Sequence, residues 1–286
     1  MKLSIITINY NNLAGLKKTV ERVLAQRSRE FEYIIVDGGS NDGSSEYVTN
    51  LCSDYIPLKC VSEPDSGIYN AMNKGIQMAK GEYVHFLNSG DWLVNGKVVE
   101  QMLRQLQVIG AKNSFPDVFV GNKITIRPDG KMKRGNNKGT KVSAYTFYRG
   151  TVEHTSAYIR RAMFDTVGMY DEHFRIVSDW KWYLEALIYH NAVFVFTDIF
   201  VSYFDNTGIS SVNLKLDKQE RRAVLEKVFH PAVLADYDRF YLQIEQVERL
   251  KKYPLVYWLF YFVERVLFKF EKWKNRIFEW RITSDD

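Results

Sequence analysis

The sequence predicts an α/β fold, with a Rossmann-like, mainly parallel central sheet flanked by helices and followed by a helical C-terminal extension. Three observations carry that prediction. Short apolar, β-branched runs alternate with segments of helical period from Leu3 to about Leu106, the pattern of βαβ units. The first strand-like runs end in polar loops bearing Gly or Asn, as strands do at the open edge of such a sheet. From Leu214 onward the periodicity is helical.

Leu3 to Ile8 is the first strand, and Asn9-Tyr10-Asn11-Asn12 turns into a helix carrying Leu16, Val20, Val23 and Leu24. Tyr33 to Val36 is the second strand, running into Asp37-Gly38-Gly39-Ser40-Asn41-Asp42-Gly43-Ser44. Gly38, Gly39 and Gly43 let the backbone approach a ligand, and Asp37 can accept bonds from a base or a ribose hydroxyl. The spacing is neither a dinucleotide fingerprint nor a P-loop. The next loop, from Ser62, leads into a helix on which Ile68, Ala71, Met72, Ile76 and Ala79 recur at helical spacing. Tyr83, Val84, Phe86 and Leu87 then form a buried strand that stops at Asn88-Ser89-Gly90-Asp91. Asp91 therefore stands where α/β proteins meet polar ligands or cations, or else it caps a turn.

Asp117 to Gly121 is another strand, and Pro128-Asp129-Gly130 marks a hairpin turn between Lys123–Ile126 and Lys131–Arg134. The polar, basic stretch from Gly135 to Thr140 reads as a mobile loop. His154 to Arg160 is strand-like, and Ala162 to Val167 is a short helix ended by Gly168. Ser178 is the expected cap of a helix through Trp182, Leu184, Ala186 and Leu187, which puts Asp179 in its first turn, where the helix dipole favours a carboxylate. From Leu214 to Lys252 the charges Glu220-Arg221-Arg222 and Glu245 to Arg249 read as solvated helix faces.

Beyond Pro254, the nine apolar residues Leu255 to Val263 fall short of the roughly twenty that span a bilayer. Val263, Val266, Phe270, Trp273, Ile277 and Trp280 follow at three and four spacing, opposite Arg265, Lys269, Lys272 and Arg276. This is an amphipathic pattern, suited to a membrane surface or to packing on the chain's own domain or a second subunit.

With 286 residues, 46% of them hydrophobic and 26% charged, the chain is long enough for one large domain with an appendage. Arg249 to Arg281 holds nine Lys and Arg against three Glu, a local charge of +6 beside +5 for the whole chain, so the basicity belongs to the tail. Aromatics alternate with these cations and no nucleic-acid motif accompanies them, which argues for an anionic membrane surface and against nucleic acid. Cys52 and Cys60 form neither a zinc pattern nor a disulfide framework, and the N-terminus lacks a signal-peptide pattern; a cytoplasmic protein is expected.

Thr7, Asp37, Gly39, Ser40, Asp42, Gly43, Glu63, Gly67, Asn73, Gly75 and Asp91 share the order and spacing of family 2 glycosyltransferases. The chain resembles the bacterial exopolysaccharide and O-antigen enzymes of that family, similar to those of colanic acid synthesis. The resemblance implies the GT-A fold, with a catalytic domain over 1–212, divided into a nucleotide-sugar-binding half (1–110) and an acceptor half (111–212). A helical region over 213–286 would carry the membrane-surface helix. It implies that Thr7, Asn9 and Asp37 hold the nucleobase, that Asp42 and Glu63 shape its pocket, and that Gly39, Ser40, Gly67, Ser89 and Gly90 complete the donor site. Asp42 could equally cap its own loop. Asn73 and Asp91 would face ribose, diphosphate and a Mg²⁺ or Mn²⁺, although Asn88-Ser89-Gly90-Asp91 keeps only the last carboxylate of the family's metal motif.

In the second half the resemblance makes Asp179 the catalytic base and puts Trp180 beside it. His154 lines the diphosphate or acceptor side, or is a hydrogen-bonded core histidine. Asp205 to Ser211 resembles the family's Gly-Gly-Ile-Ser loop, with Gly208 and Ser210 in place and Thr207 replacing a Gly. The implied reaction is inverting transfer of a sugar from a nucleotide sugar, a UDP-sugar first, to a lipid-linked oligosaccharide on the inner face of the cell membrane. Two other classes compete. A sugar nucleotidyltransferase would want a basic, Gly-rich triphosphate loop, which Thr7 to Ala14 does not supply. A non-catalytic membrane scaffold would show no nucleotide-sugar turnover.

Overall fold

The structure, a computed structural model, describes residues 3–54, 58–112, 114–137, 140–205 and 213–283. The chain divides into two compact units, Met1–Val228 and Phe229–Asp286.

The first unit opens with β1 (Leu3–Asn9), α1 (Leu13–Leu24), β2 (Phe31–Asp37), α2 (Ser44–Asp54), β3 (Leu58–Ser62), α3 (Ile68–Met78) and β4 (Tyr83–Phe86). It continues through β5 (Trp92–Leu93), α4 (Val98–Lys112), β6 (Val118–Ile126), β7 (Met132–Arg134), α5 (Ala144–Arg149), a 3-10 turn (His154–Ser156) and β8 (Ala157–Arg160). α6 (Met163–Val167), α7 (Ser178–His190), β9 (Phe194–Asp205) and α8 (Leu214–Val228) complete it. Among the described residues the sheet order is β3-β2-β1-β4-β8-β6-β9-β5, with β7 paired to β6.

The pairs β2–β3, β1–β2 and β1–β4 are parallel, whereas β8 lies antiparallel to both β4 and β6. β1 is buried along its whole length because helices cover both faces of the sheet. Leu3 and Ile5 pack with Leu16, Val20 and Val23 of α1 and Met102 of α4 in one core. Ile6 faces the other way, against α3, and a Cβ on Gly75 would meet its side chain at about 2.5 Å. This close packing brings α3 down onto the sheet, and with it the loop that starts the helix.

Several expectations are corrected. Cys52 on α2 and Cys60 on β3 are joined, their Cα atoms 6.1 Å apart, because helix and strand run side by side. The part of the cytoplasmic expectation that rested on unpaired cysteines therefore falls. β9 is not among the expected elements, since Thr197-Asp198 interrupts its apolar run. The irregularity is met by a register shift in β6 between Val120 and Asn122, whose side chain donates to the Asp198 carbonyl at 3.1 Å.

His154 lies in the 3-10 turn ahead of β8, not in a strand. Ser178 does not cap α7: its hydroxyl is buried without a partner, and the segment that leads into the helix is held from α8, whose Glu220 accepts the Val177 N–H. The first unit runs past the expected boundary at 212 because α8 is fastened to it by Glu220 and Arg221.

The second unit contains α9 (Pro231–Leu250) and α10 (Pro254–Thr283). From Leu255 to Val263 the large apolar side chains of α10 are exposed apart from Tyr257, which is half-buried. Among the described residues no helix is long and apolar enough to cross a membrane.

Candidate functional site

The order β3-β2-β1-β4 runs outward from β1 in both directions, so the connections leave β1 and β4 on opposite sides and open a crevice at their carboxyl ends. A cleft of about 870 Å³ occupies that place. One wall is the strand-end loops, with Asn9, Gly39 and Asn88 to Asp91; a second is the start of α3 from Gly67. The third comprises His154, the Arg175–Asp179 segment and the end of β9 at Phe204 and Asp205.

Glycine is required on the first wall. Gly39 has φ +75°, and a Cβ there would lie 3.0 Å from the Pro64 nitrogen; Gly90 has φ +100°. With Gly90 the chain can turn sharply after β4, and Thr19 of α1 pins that turn by donating to the Asp91 carbonyl at 2.6 Å.

Asp91 is 5% exposed, and its side chain accepts the Asp205 N–H at 3.1 Å. Burial pushes its carboxyl up to about 7, against the pull of that N–H and of the Lys123 charge. Beside it, the buried Asn88 Oδ1 has no hydrogen-bond partner. A buried carboxylate short of countercharge next to an orphaned amide oxygen fits a hard cation, which takes one or two carboxylates and completes its shell with phosphate and water. Among the described residues no group of three or more His, Cys, Asp or Glu forms a closed metal cage.

The raised pKa has a consequence for stability. The folded form binds a proton here that the unfolded chain releases near 3.8, so the associated stability is present at low pH and lost as pH rises through about 7. Without divalent cations, Asp91→Asn is expected to melt above the wild type at pH 8, with the gap closing toward pH 5.5. Melting curves at the two pH values check this, and a gap that does not widen with pH would refute the buried-charge account.

Asp179, in the first turn of α7, lines the opposite wall. Tyr69 Oη lies 2.8 Å from its Oδ1 and 2.5 Å from the Ile176 carbonyl, tying the carboxylate to α3. His154 also lines the cleft; its Nε2 is 3.1 Å from Tyr170 Oη and its ring stacks on Phe86 at 5.0 Å. Burial lowers its pKa against the attraction of Asp179, so the imidazole is neutral at pH 7.

Asn9, Gly39, Gly67, Ser89, Gly90, Asp91, His154 and Asp179 thus meet in one cleft. The other expected site residues hold the frame. Thr7 is fully buried, 2.8 Å from the Leu87 carbonyl and 2.9 Å from Tyr33 Oη, and does not reach the cleft. Asp37 is also fully buried. It accepts from Asn9 (2.8 Å), Ser45 (2.7 Å), Ser62 (2.7 Å) and both the N–H (3.0 Å) and hydroxyl (2.6 Å) of Ser40. Burial would raise its pKa, but these donors outweigh it and hold the carboxyl at about 2. Its lone pairs are used up, so neither Asp37 nor Ser40 offers a free contact to a base.

Asp42 caps: it accepts the Leu13 N–H at 2.8 Å and the Ser44 N–H at 3.0 Å. Glu63 pairs with Lys74 at 2.7 Å on the surface. Asn73 bonds the Tyr170 N–H at 3.0 Å and donates to the Tyr170 carbonyl at 2.9 Å and to Glu172 at 2.8 Å, fastening α3 to the segment before Asp179. Trp180 is 1% exposed and donates to the Gly150 carbonyl at 2.8 Å, anchoring α7 rather than facing an acceptor. Gly208 and Ser210 lie outside the described residues.

Asp65, Tyr69 and Arg175 also line the cleft without having been read from sequence as site residues, and Asp205, the first residue of the Gly-Gly-Ile-Ser-like loop, lines it too. Asp65 and Tyr69 sit inside the motif-bearing run Ser62 to Gly75, where a Pro-Asp-Ser-Gly loop ahead of a helix was the available signal. Asp65 packs so closely on Gly38 that a Cβ there would collide with its carboxylate, and burial raises its pKa against the Gly67 N–H that it accepts.

The family model for glycosyl transferase family 2 matches residues 4–168. An uncharacterized glycosyltransferase of Mycobacterium tuberculosis is 32% identical over 214 residues, which cover 73% of this chain and 77% of that protein. A PGL/p-HBAD biosynthesis glycosyltransferase of Mycobacterium bovis is 25% identical over 220 residues, 76% of this chain and 81% of its own. Among solved structures, Staphylococcus aureus TarS (residues 1–349) in complex with UDP-GlcNAc superposes with TM-score 0.59 at 18% identity, over 73% of this chain and 59% of that one. A mannosyltransferase from Pyrobaculum calidifontis in complex with GDP-Man and Mn²⁺ superposes with TM-score 0.55 at 13% identity, over 78% of this chain and 61% of its own. This chain spans about three fifths of the length of those solved chains.

Proposed function

The chain belongs to glycosyl transferase family 2 and has the GT-A fold, and from that premise we propose that it is an inverting sugar transferase using a nucleotide-sugar donor and a lipid-linked oligosaccharide acceptor. The observation that carries the reading is the meeting of Asp179 and Asp91 in one cleft at the switch point of the sheet. Asp179 takes the proton from the acceptor hydroxyl as its oxygen bonds to the anomeric carbon. The bond from that carbon to the diphosphate breaks on the opposite face, inverting the centre, and the electron pair leaves on the nucleoside diphosphate.

The donor lies along the strand-end wall. Asn9 Oδ1, buried and without a partner, and Asp65 are the groups available to base or ribose, in place of the saturated Asp37. Ser89 and Gly90 flank the diphosphate. Among the described residues the cleft lining holds four carboxylates, Asp65, Asp91, Asp179 and Asp205, against one basic side chain, Arg175. A diphosphate added to that balance needs more positive charge. Asp91, Asp205 and the Asn88 amide oxygen would hold a Mg²⁺ or Mn²⁺, which when bound supplies charge against the leaving diphosphate. A membrane-fixed acceptor requires the enzyme to come to the bilayer. The tail helix α10, apolar and cationic, supports such a contact, peripheral and on the inner face of the cell membrane.

Isothermal titration of UDP, GDP and dTDP with Mn²⁺ tests the donor side. One nucleotide, UDP first, is expected to bind only with the metal. Asp91→Ala is expected to weaken it about tenfold or more, since a contact to a charged group is worth roughly 1.5–3 kcal/mol. Affinity unchanged by both EDTA and the substitution would reduce Asp91 to a turn residue.

A further inference from the structure

The segment that leads into α7 is held from elsewhere in the fold. Val177, at the capping position, makes no side-chain bond to the helix, and the Ser178 hydroxyl is buried and unused. The acceptor is Glu220 of α8, whose carboxylate takes the N–H groups of Arg175 at 2.9 Å, Ile176 at 3.0 Å and Val177 at 3.3 Å. One carboxylate facing the three N–H groups that lead into the helix gains charge-assisted bonds and lies near the positive end of its dipole. On the other side of the same segment, Tyr69 Oη lies 2.5 Å from the Ile176 carbonyl and 2.8 Å from Asp179 Oδ1.

α8 is itself held in register. The Arg221 guanidinium lies 4.7 Å from the centre of the Trp180 ring, donates to the Gly150 carbonyl at 3.0 Å and binds Asp217 at 3.0 Å. Trp180 follows Asp179 in the chain, so Glu220 and Arg221 grip the segment just before and just after it.

We propose that Glu220 is a positioning residue for sugar transfer: by accepting the N–H groups of Arg175, Ile176 and Val177 it sets the start of α7, and with it the Asp179 carboxylate, against the cleft. The proposal rests on the reading of Asp179 as the base. Glu220 does not line the cleft and touches no substrate. With the carboxylate removed, three N–H groups lose their acceptor and the segment can shift by a fraction of a turn, while the donor wall of Asn9, Gly39 and Asp91 stays as it is. A misplacement near 1 Å costs up to about a hundredfold in rate. Loss of turnover without loss of nucleotide binding is the mark of such a residue.

The experiment compares wild type, Glu220→Ala, Glu220→Gln, Asp179→Asn and the double variant Glu220→Ala/Asp179→Asn in the full chain. Three readouts are taken: kcat for transfer, Mn²⁺-dependent nucleoside diphosphate affinity and melting temperature. Glu220→Ala is expected to lose about ten- to hundredfold in kcat with nucleotide affinity within about twofold. Glu220→Gln keeps an acceptor oxygen and is expected to recover part of the loss. In the Asp179→Asn background the Glu220→Ala loss is expected to disappear, because there is no longer a base to position. Unchanged kcat in a folded Glu220→Ala, an equal loss of nucleotide affinity, or a full additional loss in the double variant overturns the proposal. If Glu220→Ala does not fold, Glu220→Asp, one methylene shorter, is read by the same criteria. Transfer near wild type in Asp179→Asn alone would instead defeat the base reading on which this one stands.

Discussion

Asp179→Asn is expected to lower turnover about a hundredfold or more while leaving nucleoside diphosphate affinity within about twofold, because general-base contributions run from roughly 10² to 10⁴. The substitution conserves shape. The amide oxygen can still meet Tyr69 Oη, which lies 2.8 Å from the carboxylate in the native protein, and the start of α7 keeps its bonds to Glu220. What is lost is the capacity to take the acceptor proton. Neither His154 nor Asp91 is placed to replace it: His154 is half-buried against Phe86 and bonded to Tyr170, and Asp91 lies on the other wall with the donor. Initial rates at saturating donor and acceptor, with titration of the nucleotide in parallel, separate the two quantities. Transfer that stays near wild type would show that Asp179 is a structural carboxylate at the helix start and not the base.

What was legible in this chain was what depends on near neighbours. β1, β2 and β4 follow from apolar runs bounded by Gly, Asn and Asp, and α3 from its helical spacing. Asp91 and Asp179 stood out because each sits where a strand stops or a helix starts, and such places face a crevice in an α/β fold. The roles of Thr7, Asp37 and Asn73 were not legible, because they turn on which distant groups consume their lone pairs, whereas capping by Asp42 was one of the two readings its loop offered. Ser45 and Ser62 saturate Asp37, and Tyr170 and Glu172 engage Asn73, a separation of nearly a hundred residues in the latter case. Glu220 misled for the same reason. Its neighbours Arg221 and Arg222 pair at i,i+4 with Asp217 and Glu226, as on a solvated helix, while Glu220 itself reaches Arg175 to Val177.

Removing the residues after Tyr253 is expected to abolish co-sedimentation with anionic liposomes and to leave nucleotide binding intact. The first unit, Met1–Val228, contains the whole cleft and its core, so the sheet does not depend on α10 for its packing. α10 has the opposite character. Trp258, Phe260, Phe262, Leu267, Phe268, Phe270 and Trp273 are each at least half exposed, a contiguous apolar surface far larger than single exposed residues require. Arg265, Lys269 and Lys272 lie among them, and Ile277 and Trp280 continue the spacing in sequence beyond the residues whose side chains are described. Apolar burial at the headgroup boundary gives attraction independent of lipid type, and each cation adds about 1 kcal/mol near an anionic surface. The two contributions can be told apart by salt. Raising ionic strength shortens the Debye length and should weaken attachment to anionic vesicles, leaving the residual hold of the aromatics on neutral ones. A full-length protein that ignores liposomes and elutes as a stable dimer would give this surface to a second copy of the chain, and a truncated protein that fails to fold would give it to the protein's own core. Either result removes the membrane from the reading while leaving Asp91 and Asp179 in their cleft.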